Sequence, residues 1–175
     1  VIKVLSKKFF ERNTLSVAQN LLGKFLVRKI GRKTIRAMIT EVEAYKGFED
    51  KASHAHRGKT KRNEIMFGSP GYWYVYLTYG MHWMLNIVTE KENYPAAILI
   101  RGVESVSGPG RVTKFFKIDK RLNKKSANRT SGLWIEDGGV RIKKSEIKKS
   151  SRVGVDYAGL KWGKKQYRFY IKFNA

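Results

Sequence analysis

Apolar and polar positions alternate along much of this chain, and the alternation predicts strands more often than helices. Lys24–Lys29 and Thr34–Glu43 read as the arms of a hairpin turning at Ile30–Lys33. Tyr72–Thr78, Met84–Thr89 and Ala96–Val103 predict three further strands, the first with Tyr74 and Tyr76 alternating with Val75 and Leu77. Leu133–Glu136 and Val140–Lys143, joined by Asp137-Gly138-Gly139, predict two short strands, and Gln166–Phe173 predicts an aromatic one. Helical spacing is confined to two stretches. Val17, Ala18, Leu21 and Leu22 share one face of a helix that Thr14 can cap and Gly23 ends. Val112, Phe115 and Phe116 give Arg111–Ile118 a helical pattern after the break at Gly108-Pro109-Gly110. Gly47–Pro70 is polar and irregular, a length that is usually functional or disordered, and Asp119–Asn128 is a basic connection. Strands with a few short helices place the chain in the α+β class, with a curved antiparallel sheet as its core.

Composition sharpens this picture. The 175 residues, 42% of them hydrophobic, suit one soluble domain spanning 1–175 with a real core. No apolar run approaches the roughly 18 residues of a membrane span. The opening VIKVLSKKFF lacks a signal-peptide pattern, so the expected location is the cytoplasm, on nucleoid DNA, or the nucleus in a eukaryote. The absence of cysteine excludes disulfides and cysteine-ligated metal centres. Net charge is +23, unevenly spread: residues 1–110 carry 18 basic and 9 acidic side chains, residues 111–175 carry 19 and 5. Such a field attracts polyanions, and counterion release makes nucleic acid the favoured partner over an anionic membrane, for which no basic amphipathic helix stands out.

Several constellations have the chemistry for a site. Glu41 and Glu43, at i and i+2, share one strand face, and Tyr45 continues the row if the chain stays extended. Acidic residues are scarce here, and one of the pair can serve as a general base; both can equally be structural carboxylates bonded to amides or arginine. His54 and His56, with Glu49 and Asp50 nearby, have a weak metal-like spacing, and stacking or hydrogen bonding suits them better. Arg101 ends the apolar run AAILI and needs a partner, either a glutamate or a phosphate. Gly108-Pro109-Gly110-Arg111 can present amides to a phosphate or be only a turn. Tyr79-Gly80 ends its strand in a turn that can present a flat ring to a base stack, or simply close a buried aromatic strand.

Together the segments FFERNTLSVAQNLLGKFLVRK, ITEVEAYKGFEDKASHAHRG, KTKRNEIMFGSPGYWYVYLTYGMHWMLNIV, AAILIRGVE, GPGRV and SRVGVDYAG…YRFYIKF resemble the methylpurine-DNA glycosylase family, over most of the chain and in the family's order. The resemblance implies a cofactor-free, metal-free monomer that flips a damaged purine from double-stranded DNA and hydrolyses its N-glycosidic bond. Matched by position, Glu43 looks like the base that activates water, with Arg101 and the Val153 carbonyl orienting that water. Tyr45, His54 and Tyr76 look like walls stacking on the flipped base, and the amides of Ala52 and His54 like contacts to its edge. Asn86 looks like the group that crowds normal guanine, and Tyr79 like the wedge, with Met81 beside it. Arg57, Lys59, Lys61, Arg62 and Arg111 are the expected contacts to the DNA backbone. Between Val103-Glu104 and Gly108-Pro109 the family has a longer segment, where this chain has only Ser105–Ser107. Two other classes remain beside the enzyme: a non-catalytic DNA-binding domain, and an RNA binder stacking unpaired bases. Glu43 with Arg101 discriminates them, because a mere binder has no need of a carboxylate facing a polyanion.

Overall fold

The computed structural model describes residues 1–172. Its strands are β1 (Lys3–Val4), β2 (Phe25–Ile30), β3 (Lys33–Lys46), β4 (Trp73–Thr78), β5 (His82–Val88), β6 (Ala96–Val103), β7 (Val106–Ser107), β8 (Leu133–Asp137), β9 (Lys148–Ser150) and β10 (Arg168–Tyr170). Its helices are α1 (Lys7–Phe10), α2 (Thr14–Leu21), α3 (Pro109–Phe115) and α4 (Gly159–Gly163). The strands form one antiparallel sheet in the order β1-β8-β2-β3-β6-β5-β4, with β7 on β6, and β10 joining β3 to β9. The α+β class with an antiparallel core is therefore what the alternation predicts. No helix among the described residues is long and apolar enough to cross a membrane.

β3 organises the sheet. Residues 33–38 pair with β2, residues 39–46 with β6, and residues 41–43 also with β10. The register shifts between Ile39 and Val42, where the strand changes partners. A bulge there bends the strand, and beyond it Glu43 lines the cavity while Glu41 does not. From Val42 on, alternate residues serve opposite ends. Val42, Ala44, Ile98, Ile100, Leu85, Ile87, Trp73 and Val75 face the main core, against Val17, Ala18 and Leu21 of α2 and Val112 and Phe116 of α3. The other face carries Glu43, Leu99, Asn86 and Tyr74 in one row, because Glu43 pairs with Leu99, Leu99 with Asn86 and Asn86 with Tyr74.

Several expected boundaries move. α2 is capped by Asn13, whose Oδ1 accepts from Leu15 N–H at 3.0 Å; Thr14 is buried and bonds Thr89 and Glu90. The second arm of the first hairpin runs on to Lys46, so Tyr45 does continue the row of Glu41 and Glu43. α3 begins at Pro109, whose fixed φ and missing N–H suit a first helical turn. Val140–Lys143 is not a strand: Ile142 folds back onto Gly23, within 2.7 Å of where a Cβ would stand. The last strand shortens to Arg168–Tyr170, and Phe173, its expected end, lies outside the described residues. The short Ser105–Ser107 segment closes as a hairpin, with Ser105 left-handed (φ 67°) and Val106 paired to Val103.

Candidate active site

The concave face of β3, β6, β5 and β4 lines a cavity of about 390 Å³. Loops 47–58 and 151–158 close its other sides through Ala52, Ser53, His54, Val153, Val155 and Tyr157. Of the residues singled out above, Glu43, Tyr45, Ala52, His54, Tyr76, Tyr79, Asn86, Arg101 and Val153 all line this space.

Glu43 lies on its floor, wholly buried. Val153 N–H donates to its Oε1 at 2.7 Å and Tyr45 O–H to its Oε2 at 2.8 Å. Arg101 Nε stands 3.6 Å from Oε1 but is bonded to Glu41 Oε1 at 3.0 Å, and Arg168 Nε meets the same oxygen at 2.6 Å. The two glutamates thus divide: Glu41 is a structural acceptor for two arginines, and Glu43 faces the cavity. Burial pushes the Glu43 carboxyl above its ordinary value, against the opposing pull of Arg101, the Val153 amide, Tyr45 and Arg152. A carboxylate shifted toward neutrality is a stronger proton acceptor when ionised.

The walls are aromatic. Tyr76 lies 4.7 Å from His54 and 5.0 Å from Tyr74, centroid to centroid. Tyr74 O–H and His54 Nδ1 are 3.2 Å apart. Burial raises the Tyr74 hydroxyl to about 12, and burial with the Arg62 charge lowers His54, so both are neutral at pH 7. Asn86 is buried and donates from Nδ2 to Tyr74 O at 3.2 Å. The Ala52 amide, expected at the base edge, is instead engaged by Asp50 Oδ1 at 3.1 Å, an Asx turn that shapes the loop. The His54 amide makes no hydrogen bond with the described residues.

Tyr79 stands at the mouth, 90% exposed, with Met81 also exposed beside it. Thr78 pairs with His82, Met81 N–H donates to Thr78 O at 3.1 Å, and Tyr79 (φ 50°) and Gly80 (φ 65°) are both left-handed, the pattern of a type I′ turn. A bulky residue held at positive φ is uncommon, and such positions cluster where function keeps them. Arg57, Lys59, Lys61, Arg62 and Arg111 are exposed. Arg62 also lies 5.1 Å over the Tyr76 ring, tying the basic loop to a cavity wall.

The metal-like spacing dissolves in the structure. His56 Nδ1 bonds Phe48 O at 2.8 Å, and Asp50 is paired with Arg152 in a fully buried, bidentate contact of 2.6 and 2.8 Å. Breaking one side of such a pair costs about 3–5 kcal/mol. Sequence reasoning missed Arg152 and Asp50 as a pair, and also Tyr157, whose O–H donates to Ala52 O at 2.8 Å across the cavity rim. The available signal was scarcity: an acid in so basic a chain calls for a cation, though not for a particular one.

The methylpurine-DNA glycosylase family model matches residues 8–108 and 104–175. A protein from Methanocella arvoryzae, provisionally named 3-methyladenine DNA glycosylase, is 43% identical over 189 residues, covering 97% of this chain and 92% of its own. Proteins with the same provisional name from Legionella pneumophila (strain Corby; 41% over 180 residues, 99% and 97%) and Borrelia garinii subsp. bavariensis (40% over 183 residues, 97% of each) are similar throughout. A buried glutamate on an aromatic floor, a tyrosine on a rigid turn above it, and a family match spanning nearly the whole length agree: this chain belongs to the methylpurine-DNA glycosylase family of DNA-repair hydrolases.

Proposed function

We propose that the protein acts as a monomer on double-stranded DNA, flips alkylated and deaminated purines into the cavity, and cleaves their N-glycosidic bonds with water activated by Glu43. One observation carries the reading: Glu43 is a buried carboxylate in a cavity walled by Tyr45, His54, Tyr74 and Tyr76, pinned by two donors and lining the open space. Water loses a proton to Glu43 as its oxygen attacks C1′, and the purine leaves with the electrons of the C–N bond. Arg101 and the Val153 carbonyl orient that water. Tyr45, His54 and Tyr76 enclose the base, the His54 amide meets its edge, and Asn86 crowds the exocyclic amine of guanine. An alkylated purine already carries positive charge, which the ring faces attract, and it leaves neutral. A deaminated purine leaves as an anion unless protonated, so its excision is the slower.

Duplex DNA bearing one alkylated purine, mixed with excess enzyme in chelator, is expected to yield free base and an intact strand with an abasic site. No release in a single turnover overturns the proposal. Loss in chelator, restored by one divalent ion, overturns its metal-free form.

The exposed arginines and lysines give a second expectation. Binding to undamaged duplex should weaken with salt at a log–log slope of about −0.9 per phosphate neutralised. Replacing Lys59, Lys61 and Arg62 together by Gln should flatten that slope by about two to three. A slope that the triple variant leaves unchanged places the duplex elsewhere on the surface.

A further inference from the structure

We propose that Arg152, held by Asp50, is a positioning residue for Glu43: one buried guanidinium supports both hydrogen-bond donors of the carboxylate. The inference rests on Glu43 being the base.

The geometry is compact. The Arg152 guanidinium carbon lies 4.7 Å from the centre of the Tyr45 ring, whose hydroxyl donates to Glu43 Oε2. The next residue, Val153, donates its N–H to Glu43 Oε1. Between these two contacts Arg152 Nη1 donates at 2.9 Å to the carbonyl of Ala44, the residue separating Glu43 from Tyr45. Asp50 completes the unit by accepting from Arg152 twice and from the Lys46 and Ala52 amides at 3.0 and 3.1 Å. The end of β3, loop 47–58 and loop 151–158 are thereby stapled around one carboxylate.

Stability alone does not account for this arrangement. Both side chains are 0% exposed, and Arg152 Nε is buried with no partner among the described residues. A buried ion pair of this kind is often no more stabilising than apolar residues of equal volume, whereas its two-pronged fork fixes geometry. What the fork fixes here is the pair of donors that aim Glu43.

The groups facing Glu43 are Arg101 from β6, Tyr45 from its own strand, Arg152 from loop 151–158, and, across the cavity, Tyr76 of β4 and Tyr157. Glu41 and Arg168 stand behind Arg101. Asp50, which neutralises Arg152, makes no contact with Glu43 itself, so the influence of Arg152 can be changed in either direction.

The test is the pH dependence of single-turnover base release from an alkylated-purine duplex, for Arg152→Gln, Asp50→Asn and Arg152→Lys. Arg152→Gln removes the cation and slackens both donors. Its acid limb should move up by about half a pH unit or more, and its plateau rate should fall roughly 10- to 100-fold. Asp50→Asn leaves the guanidinium unneutralised, and its limb should move down. Arg152→Lys keeps the charge without the fork, so its limb should return toward wild type while the plateau stays low. Circular dichroism recorded at each pH beside the rate separates these shifts from acid unfolding of a destabilised variant. A purely scaffolding pair predicts lower melting temperatures with unmoved limbs, and that result overturns the proposal. So does failure of all three variants to fold, which assigns the pair to the scaffold. If wild type itself shows no acid limb and Glu43→Gln turns over normally, the reading of Glu43 fails instead.

Discussion

Glu43→Gln is expected to remove roughly 10²- to 10⁴-fold of the single-turnover rate, the usual worth of a general base, while binding a duplex with an abasic-site analogue as tightly as wild type or more so. The substitution is close to isosteric. Val153 N–H can still donate to Oε1, and the Tyr45 hydroxyl, now a donor to Oε2, can accept from the new amide instead. Arg101 keeps Glu41 as its partner. What disappears is a proton acceptor and a negative charge facing a polyanion. Two further readouts come from the carboxyl being raised by burial. The wild-type rate should climb with pH through a midpoint above the ordinary carboxylate range, and the variant should lack that limb. Because folding raises this group's pKa, the stability it contributes is full below the ordinary carboxylate value and is lost as pH rises through the raised one. Above the raised value an ionised Glu43 therefore works against the fold, and there Glu43→Gln should melt no lower than wild type. Near-normal excision by the variant would end the mechanism. A lower melting temperature that vanishes at acid pH would show that the folded protein prefers the charged form.

Tyr79→Ala should reduce the population of flipped nucleotide about 5- to 150-fold, since a stacked base–aromatic contact is worth about 1–3 kcal/mol. The ring is almost fully exposed in the free protein, so little packing is lost with it. Its backbone is left-handed, a conformation that glycine accepts more readily. Tyr79→Gly should therefore melt close to wild type yet flip as poorly as the alanine variant. Fluorescence of a base analogue beside the lesion reports flipping, and a thermal melt reports the fold. A collapsed melt with an unchanged fluorescence signal assigns Tyr79 to the scaffold and removes the wedge.

What was legible in the chain was what alternation encodes. Ala96–Val103 is found with its expected bounds, and the opposite-facing rows of β3, β4 and β6 follow from side chains reversing at each step. Glu43, Tyr45, Tyr76, Asn86 and Arg101 were brought together by the family resemblance, and the alternation of these rows is why they meet on one face. β9 was invisible because Lys148 and Lys149 give no alternation, and its pairing is set by β10. Val140–Lys143 looked like a strand by composition, but its Ile142 serves Gly23 rather than a neighbouring strand. The Asp50–Arg152 pair was out of reach for a different reason. Its partners are far apart in the chain, in two irregular loops, and only folding shows that each is the other's answer. The Ala52 amide is a local matter: it donates to Asp50, two residues away, in the turn that shapes the loop.

Adjacent residues of β4, β5 and β6 belong to different constituencies. Leu85 and Ile87 bind the sheet to its helices, while Met84 and Asn86 look into the cavity. The same division separates Ile98 and Ile100 from Ala97 and Leu99. The lining of the cavity and the packing of the main core are thus written on alternate letters of the same strands. On the proposed function, trading Leu99 for a larger or smaller residue would redraw the set of bases the cavity admits while leaving Ile98 and Ile100 in the interior one step away. The freedom ends at Glu43, where a single side chain answers at once to its own strand through Tyr45 and to loop 151–158 through Val153.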